Sequence, residues 1–438
     1  SVSESGLTQV SNYNRWYKQK YLALHAAGII AFCANVLTAP YAFSAEPLLP
    51  QRGVSVGDGG VSGFYVWQGP LNAAPGTILR AEPMEKGDRF PDAKSQYRIL
   101  YMSTDSITHH KVAVSGQVWL PQGKPPQKGW PLLLWAHGTV GLADHCATSW
   151  GKTGKNFPGY IATWLQNGFA VASSDYAGLG TPGFHYYLVH TTEAYNTLDI
   201  ARAVVGKNYQ IDNKIIIDGQ SQGGGAAFSA GGEAVIYAPE LQVKGTIATG
   251  LPYFSPHVPL GNSTSQSNTV DPNIAYMFYV ARTAQQLDPS LKAESLFTPQ
   301  ALSIYAQATN SCVDDLIAKV SAASLTDANT LLPGAIQRVL GVMMPYYIYS
   351  HLKLSAPLFV GTGLKDQDVN PVAQQALVQD SCAAGTVVEN HIYPNKAHIE
   401  TWLASSSDAI HFANHLLKGE KITSSCFSHS TQIKINPS

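Results

Sequence analysis

The sequence predicts an α/β fold, in which helices flank a mostly parallel β-sheet and a mostly helical segment is inserted between two of the strands. Short continuous apolar runs alternate with helical stretches along much of the chain, and such runs are typical of strands covered on both faces. Strands that alternate with helices form parallel sheets with helices on both sides. The first four apolar runs lie at 131–136, 169–173, 214–218 and 243–249.

The remaining elements follow from local patterns. Alternating Tyr97, Ile99 and Tyr101 predict a strand over 95–103, and a second early strand is expected over 111–120. A helix is expected after each of the first three buried strands, and a late amphipathic helix follows the last strand. These helices are expected at 158–168, 192–207, 226–237 and 399–417.

The alternation stops between residues 251 and 350, where Pro-, Ser- and Asn-rich turns accompany helical stretches at 273–287, 299–308 and 312–322. It resumes with strands at 356–361 and 386–393. We therefore predict one large domain formed by 46–250 and 351–438. We interpret 251–350 as a helical cap over the edge of the sheet.

Residues 1–45 have the pattern of a secretory signal peptide. Three basic residues precede an apolar stretch at 21–37, which ends in a small-residue region at 39–45. His25 and Asn35 interrupt the stretch, and a membrane-spanning helix needs about 20 apolar residues. We therefore expect a secreted protein, extracellular or periplasmic, without a stable membrane span in its mature form.

The charged fraction and the net charge of the chain indicate which class of partner it can bind. Charged residues make up 13% of the chain and the net charge is −1, with no long run of Lys or Arg. A partner with a phosphate backbone requires clustered basic residues, so nucleic acid is not an expected partner. A small neutral substrate fits this charge balance better than a polyanion.

The cysteines also indicate export. Cys33 lies in the leader, which leaves Cys146, Cys312, Cys382 and Cys426. Four cysteines allow three pairings, and an exported protein seldom keeps free thiols. We favour Cys146–Cys312 and Cys382–Cys426, the second because both residues flank the C-terminal part of the domain. No cysteine or histidine cluster has the spacing of a metal site, so no metal is expected.

The strongest chemical signal is Gly219-Gln-Ser221-Gln-Gly223, a G-x-S-x-G element between a buried strand and the start of a helix. A nucleophilic serine at a sharp strand-to-helix turn needs small residues two positions before and after it. Its oxygen then lies near a helix N-terminus, where the backbone N–H of Gln222 can stabilise an oxyanion. The context predicts the α/β-hydrolase fold with Ser221 as the nucleophile.

Such a serine needs a histidine as base and a carboxylate behind it, in the chain order Ser, acid, His. Only His398 is expected in a loop between the last strand and the last helix; the other late histidines are His391, His411, His415 and His429. Asp366 and Asp368 both follow the strand at 356–361. We choose Asp366, because an Asp three residues before a Val is the commoner arrangement in such hydrolases, and expect Asp368 to cap the loop.

The second oxyanion donor is expected in the loop after the strand at 131–136. Gly138 allows a close approach of the backbone to the substrate, and we choose the N–H of Thr139 as the donor. We interpret His137 as a packing residue. Asp175 is interpreted as structural, because it precedes Ser221 in the chain order.

Together these residues resemble the secretory lipase family of the fungal lipase A type, over about residues 76–417. The resemblance depends on the order of five motifs and two late residues: 137–139 with 146–149, 175–180, 219–223, 237–241, Asp366 and His398. It implies a triad of Ser221, Asp366 and His398, oxyanion donors near Thr139 and on Gln222, and a helical cap at the insertion.

A family disulfide joins the loop after the oxyanion strand to the cap, which supports Cys146–Cys312. Fungal lipase A has an acidic residue where this chain has Thr139, so the resemblance implies esterase activity more directly than interfacial lipase activity. The expected reaction is hydrolysis of a small-molecule, lipid or polyester ester through an acyl-enzyme, without a cofactor. The alternatives are a serine peptidase or amidase on the same fold, and a non-catalytic binding protein.

Overall fold

The computed structural model describes residues 48–49, 53–151, 153–255 and 267–427. Nine strands form one sheet in the order β1-β2-β3-β5-β4-β6-β7-β8-β9. The first three pairs in this order, β1–β2, β2–β3 and β3–β5, are antiparallel and the other five are parallel. The strands are β1 Ile78–Pro83, β2 Ala93–Thr104, β3 Lys111–Pro121, β4 Trp130–Ala136, β5 Ala170–Ser174, β6 Ile211–Gln220, β7 Val243–Thr249, β8 Leu358–Gly363 and β9 Val388–Tyr393.

Ten α-helices lie within the described residues. Five connect or follow the parallel strands and five lie between β7 and β8. The first group is α1 Phe157–Gln166, α2 His190–Val204, α3 Gln222–Tyr237, α9 Pro371–Ala383 and α10 His398–Leu417. The second group is α4 Ile274–Leu287, α5 Pro299–Tyr305, α6 Val313–Ala322, α7 Asp327–Thr330 and α8 Ala335–Tyr347.

The two faces of the sheet bury different helices, as the continuous apolar strands predict. In β4, Leu132 and Leu134 pack in one core cluster with residues of α2 and α3. Leu133 and Trp135 point to the other face, where residues of α1 and α10 pack. This alternation along one strand requires an apolar residue at every position, which is what the sequence of β4 provides. The predicted fold class, a mostly parallel α/β-hydrolase sheet with an inserted helical segment, is confirmed.

The inserted helices α4, α5, α6 and α8 share a separate hydrophobic cluster, which includes Phe278, Phe297 and Met343. Phe184 and Tyr187, from the segment between β5 and α2, belong to the same cluster. The insertion is therefore packed onto the sheet-bearing part of the chain. The exact bounds of the cap, 251–350, remain a prediction.

Three details differ from the sequence-based expectations. Strand β1 and helices α7, α8 and α9 were not predicted, and several predicted elements differ from the observed ones by a few residues at their ends. His398 is the first residue of α10 and not a loop residue, so its predicted loop position is wrong; Thr401 donates both its N–H and its hydroxyl to the carbonyl of Ala397, which places the helix start there.

Two disulfides are present, Cys146–Cys312 and Cys382–Cys426, in the pairing favoured from the sequence. The proposed signal peptide at 1–45 lies outside the described residues. Within the described ranges, no helix combines the length and the apolar character needed to cross a membrane.

Candidate active site

Ser221 occupies a strained turn between β6 and α3. Its backbone has φ of 60° and ψ of −122°, a conformation that non-glycine residues seldom adopt. A Cβ on Gly219 would overlap the carbonyl of Gly223, and one on Gly223 would overlap the carbonyl of Ala136. Gly219 is therefore required by the tightness of the turn itself, and Gly223 by its contact with the end of β4. Ser221 N–H donates to the carbonyl of Thr249 at 2.9 Å, which fixes the turn against β7.

Asp366 and His398 are buried and form a direct hydrogen bond. Nδ1 of His398 lies 2.7 Å from Oδ2 of Asp366. Because a carboxylate can only accept, the proton of this bond belongs to Nδ1, and Nε2 is left to act as a base. The histidine therefore has the tautomer that a nucleophilic serine needs.

Asp366 is held in place by its own loop and by α9. Its Oδ1 accepts the N–H groups of Asp368 and Val369, both at 2.9 Å, and Gln374 Nε2 donates to Oδ2 at 3.1 Å. Burial alone would raise the pKa of the Asp366 carboxyl, but His398 and the two N–H groups hold that pKa below its usual value. The carboxylate is therefore ionised and oriented.

The expectation that Asp368 caps this loop is wrong. The two backbone N–H groups that a capping carboxylate would bind donate instead to Oδ1 of Asp366. This oxygen is available because His398 binds the other one, Oδ2. Asp368 is exposed.

His398 and Ser221 both contact the end of β7. Gln220 Nε2 donates to the carbonyl of His398 at 3.1 Å. A Cβ on Gly250 would lie 2.7 Å from Cε1 of His398, and the preceding Thr249 holds the N–H of Ser221. Within the described part of the chain, no hydrogen bond joins the Ser221 hydroxyl to His398.

The loop after β4 runs directly beside Ser221. A Cβ on Gly138 would lie 3.2 Å from the carbonyl of Gln220 and 3.6 Å from Cβ of Ser221, so this glycine gives the loop its close approach. Thr139 follows it, half-buried, and its hydroxyl is hydrogen-bonded to the hydroxyl of Tyr187. Gln222 is the first residue of α3, where a backbone N–H has no intrahelical partner.

The side chain of Gln222 is clamped by two residues that the sequence did not single out. Its Nε2 donates to Glu193 Oε1 at 3.2 Å and lies 3.0 Å from Nε2 of His185. Nδ1 of His185 donates to the carbonyl of Ala177 at 3.2 Å, so its Nε2 is the acceptor for Gln222. Burial raises the pKa of Glu193 to about 8. Nothing in a single sequence marks Glu193, in the first turn of a helix, as buried.

His137 and Asp175 are buried residues that directly follow β4 and β5. Tyr176 donates its hydroxyl to the carbonyl of His137 at 2.8 Å, and the two rings stack at 4.2 Å. Asp175 is fully buried and accepts hydrogen bonds from Ser115, Thr148 and Ser149. Among the described residues, neither is hydrogen-bonded to His398 or Asp366.

The cap is joined to the loop that carries Thr139. The disulfide Cys146–Cys312 connects this region to the start of α6, and Val313 N–H donates to the carbonyl of Val140 at 2.9 Å. Of the described residues, one group could approach a metal ion with three ligand atoms, His145 with Cys146 and Cys312. Both of its sulfur atoms are in the disulfide, so this group has no thiolate to offer.

Comparison with known proteins places these features in a family. The family model described as secretory lipase matches residues 159–425. Lipase A of Moesziomyces aphidis is 28% identical over 195 residues, with 41% of this chain and 40% of that relative covered. The match therefore spans about two fifths of the relative's length.

Two solved structures share the fold over most of the chain. The closed state of Candida antarctica lipase A has a TM-score of 0.62 at 19% identity and covers 80% of this chain and 84% of that one. The rice cell wall degrading esterase LipA of Xanthomonas oryzae has a TM-score of 0.64 at 16% identity, with 80% of this chain and all of that chain covered. At these identities the likeness is one of fold.

Proposed function

The chain belongs to the secretory lipase family, and from this membership and the geometry of its site we propose that it is a secreted carboxylic-ester hydrolase with the catalytic triad Ser221, His398 and Asp366. The observation that carries the proposal is the 2.7 Å bond between His398 and Asp366, buried at the end of the sheet where Ser221 occupies its strained turn. A carboxylate, a histidine of fixed tautomer and a serine at a helix N-terminus are the groups that acyl transfer needs.

The reaction has two steps. Nε2 of His398 takes the proton of the Ser221 hydroxyl as the oxygen attacks the ester carbonyl, and Asp366 stabilises the resulting imidazolium. The N–H groups of Thr139 and Gln222 donate to the oxyanion. His398 then gives its proton to the leaving alcohol, which departs and leaves an acyl-Ser221 ester. A water molecule, activated by His398 in the same way, releases the acid and restores the serine.

The substrate class is a neutral ester, from a small molecule, a lipid or a polyester. The chain has a near-zero net charge, and the loop beside Ser221, residues 137–143, carries the hydroxyl of Thr139 and neither Lys nor Arg. A substrate with many negative charges would find no clustered basic residues there.

The first test is hydrolysis of p-nitrophenyl butyrate by the wild-type protein and by Ser221→Ala. We expect kcat to fall by roughly 10⁶-fold, to the level that binding and the oxyanion donors alone supply. Ser229→Ala, in the same helix α3 and also buried, is the matched control and should keep normal turnover. Undiminished turnover in Ser221→Ala would refute the assignment.

A further inference from the structure

The hydroxyl of Thr139 can form more hydrogen bonds than the described residues supply. Its one hydrogen bond among the described residues joins its Oγ1 to the hydroxyl of Tyr187. Either oxygen could donate in this bond. A hydroxyl offers one proton and two lone pairs, so the direction decides what Thr139 can still do.

The phenol is the natural donor of the pair. A phenol has an ordinary pKa near 10 and is a stronger acid than an aliphatic alcohol, so its proton makes the better hydrogen bond. Burial raises the pKa of Tyr187 further, which keeps the phenol protonated. When Tyr187 donates, Thr139 accepts on one lone pair and its own proton is free for another partner.

The loop that carries Thr139 runs beside the reacting serine. Thr139 directly follows Gly138, whose α-carbon would place a Cβ only 3.6 Å from Cβ of Ser221. The acceptor that appears in this space during the reaction is the oxyanion of the tetrahedral intermediate. Before the reaction, the described residues supply no competing acceptor for Thr139.

Tyr187 is itself held rigidly by the cap. Its backbone N–H donates to Oγ1 of Thr283 in α4 at 3.2 Å. Its ring makes an edge-to-face contact with Tyr279 of the same helix, with centroids 5.8 Å apart, and only 4% of the residue is exposed. The phenol therefore has a fixed direction toward Thr139, set by the cap helix.

We propose that the Thr139 hydroxyl is a third oxyanion donor and that Tyr187 is the positioning residue that directs it. Tyr187 donates to Oγ1 of Thr139, and this bond turns the Thr139 proton toward the developing oxyanion. Helix α4 of the cap thus orients part of the oxyanion hole. The inference rests on the proposed ester hydrolysis at Ser221.

The test is a double-mutant cycle on p-nitrophenyl butyrate hydrolysis. Thr139→Val removes the hydroxyl at nearly constant shape and should lower kcat by about 10²-fold or more with little change in KM, as for other lost oxyanion donors. Tyr187→Phe should lower kcat by about tenfold, since it removes one neutral hydrogen bond and leaves the Thr139 proton undirected.

The coupling between the two substitutions distinguishes a positioning role of Tyr187 from a purely structural one. In the double variant, kcat should be no lower than in Thr139→Val alone, because the hydroxyl that Tyr187 positions is already gone. Thr139→Ser should restore most of the activity and should again respond to Tyr187→Phe. Tyr186→Phe, in the same segment, is the matched control and should behave as wild type.

Two results would overturn the inference. One is a kcat of Thr139→Val that stays close to the wild-type value. The other is an equal loss from Tyr187→Phe with and without the Thr139 hydroxyl, which would indicate a general packing effect. Labelling of the wild type at Ser221 by a fluorophosphonate, together with its hydrolysis of p-nitrophenyl butyrate, leaves the proposed function standing in either case; absent labelling would instead refute the proposed function itself.

Discussion

At the scale of single residues, the two neighbouring carboxylates Asp366 and Asp368 have opposite surroundings. Asp366 is buried and accepts from His398 and from Gln374, whereas Asp368 is exposed. The hydrogen-bonded carboxylate fixes the histidine tautomer, and the exposed one has no such bond to His398. Only Asp366 is therefore expected to matter for turnover.

Exchange of each carboxylate for its amide tests this difference. Asp366→Asn keeps the shape but can hold His398 in the wrong tautomer, and kcat should fall by on the order of 10⁴-fold. Asp368→Asn should retain kcat within about a factor of three, and is the matched control two residues away. Steady-state kinetics on p-nitrophenyl butyrate measures both. A larger loss of kcat in Asp368→Asn than in Asp366→Asn would mean that Asp368, and not Asp366, is the triad carboxylate.

Ser221 could be predicted from the sequence because its turn constrains its neighbours: a Cβ on Gly219 would overlap the carbonyl of Gly223, and one on Gly223 would overlap the carbonyl of Ala136. The predictions of His398 and Asp366 came from chain order and local context. Glu193 and His185 were not, because their contact with Gln222 joins segments 29 and 37 residues apart through tertiary packing. Local sequence carries no signal for such a contact.

At the scale of elements, the two disulfides have different neighbours. Cys146–Cys312 closes a segment of 166 residues and lies beside the loop that carries Thr139, while Cys382–Cys426 closes 44 residues near the far edge of the sheet. In the chain-entropy model they stabilise the fold by about 5 and about 4 kcal/mol. The chain-entropy model therefore predicts similar contributions to stability, and we expect only Cys146–Cys312 to position the site.

Paired Cys-to-Ser exchanges distinguish the two. Loss of Cys146–Cys312 should lower both the melting temperature and kcat, the latter by about 10- to 100-fold, because small displacements of an oxyanion loop are costly. Loss of Cys382–Cys426 should lower the melting temperature alone. Calorimetry and ester kinetics on both double variants measure this. Equal kcat values in the two variants would show that the first disulfide does not position the site.

The elements also show why some strands and helices could be predicted and others not. Strands β4 and β6 are buried on both faces, so their apolar runs stand out in the sequence. Strand β1 is an edge strand with exposed and half-exposed positions, and its sequence Ile-Leu-Arg-Ala-Glu-Pro has no strong pattern. Helix α9 buries polar Gln374 and Ser381 along with apolar residues, which blurs the periodicity that would reveal it.

At the scale of the whole molecule, buried carboxyl groups link stability to pH. Burial raises the pKa of Glu193 to about 8 and that of Asp218 to about 7. In the unfolded chain the same groups lose their protons near pH 4. Unfolding therefore releases protons between these values, and the free energy of unfolding falls as the pH rises through the folded-state pKa values.

Urea unfolding at pH 7 and pH 9 tests this linkage. Between these values Glu193 alone should lower the free energy of unfolding by about 1–2 kcal/mol. Glu193→Gln cannot ionise, so its stability should change less over the same interval. The neutral buried histidines His185 and His190, with pKa values lowered by burial to about 3, affect only the acidic side of pH 6.5. An identical pH dependence in Glu193→Gln would contradict the linkage.

The most direct test of the triad is the rate at which a fluorophosphonate modifies the protein, followed by mass spectrometry of its peptides. The geometry predicts one adduct, on Ser221, and a much slower reaction once His398 is replaced by Ala, because the imidazole no longer removes the serine proton. An adduct on a different residue, or an unchanged labelling rate in His398→Ala, would contradict the meeting of Ser221, His398 and Asp366 at one site.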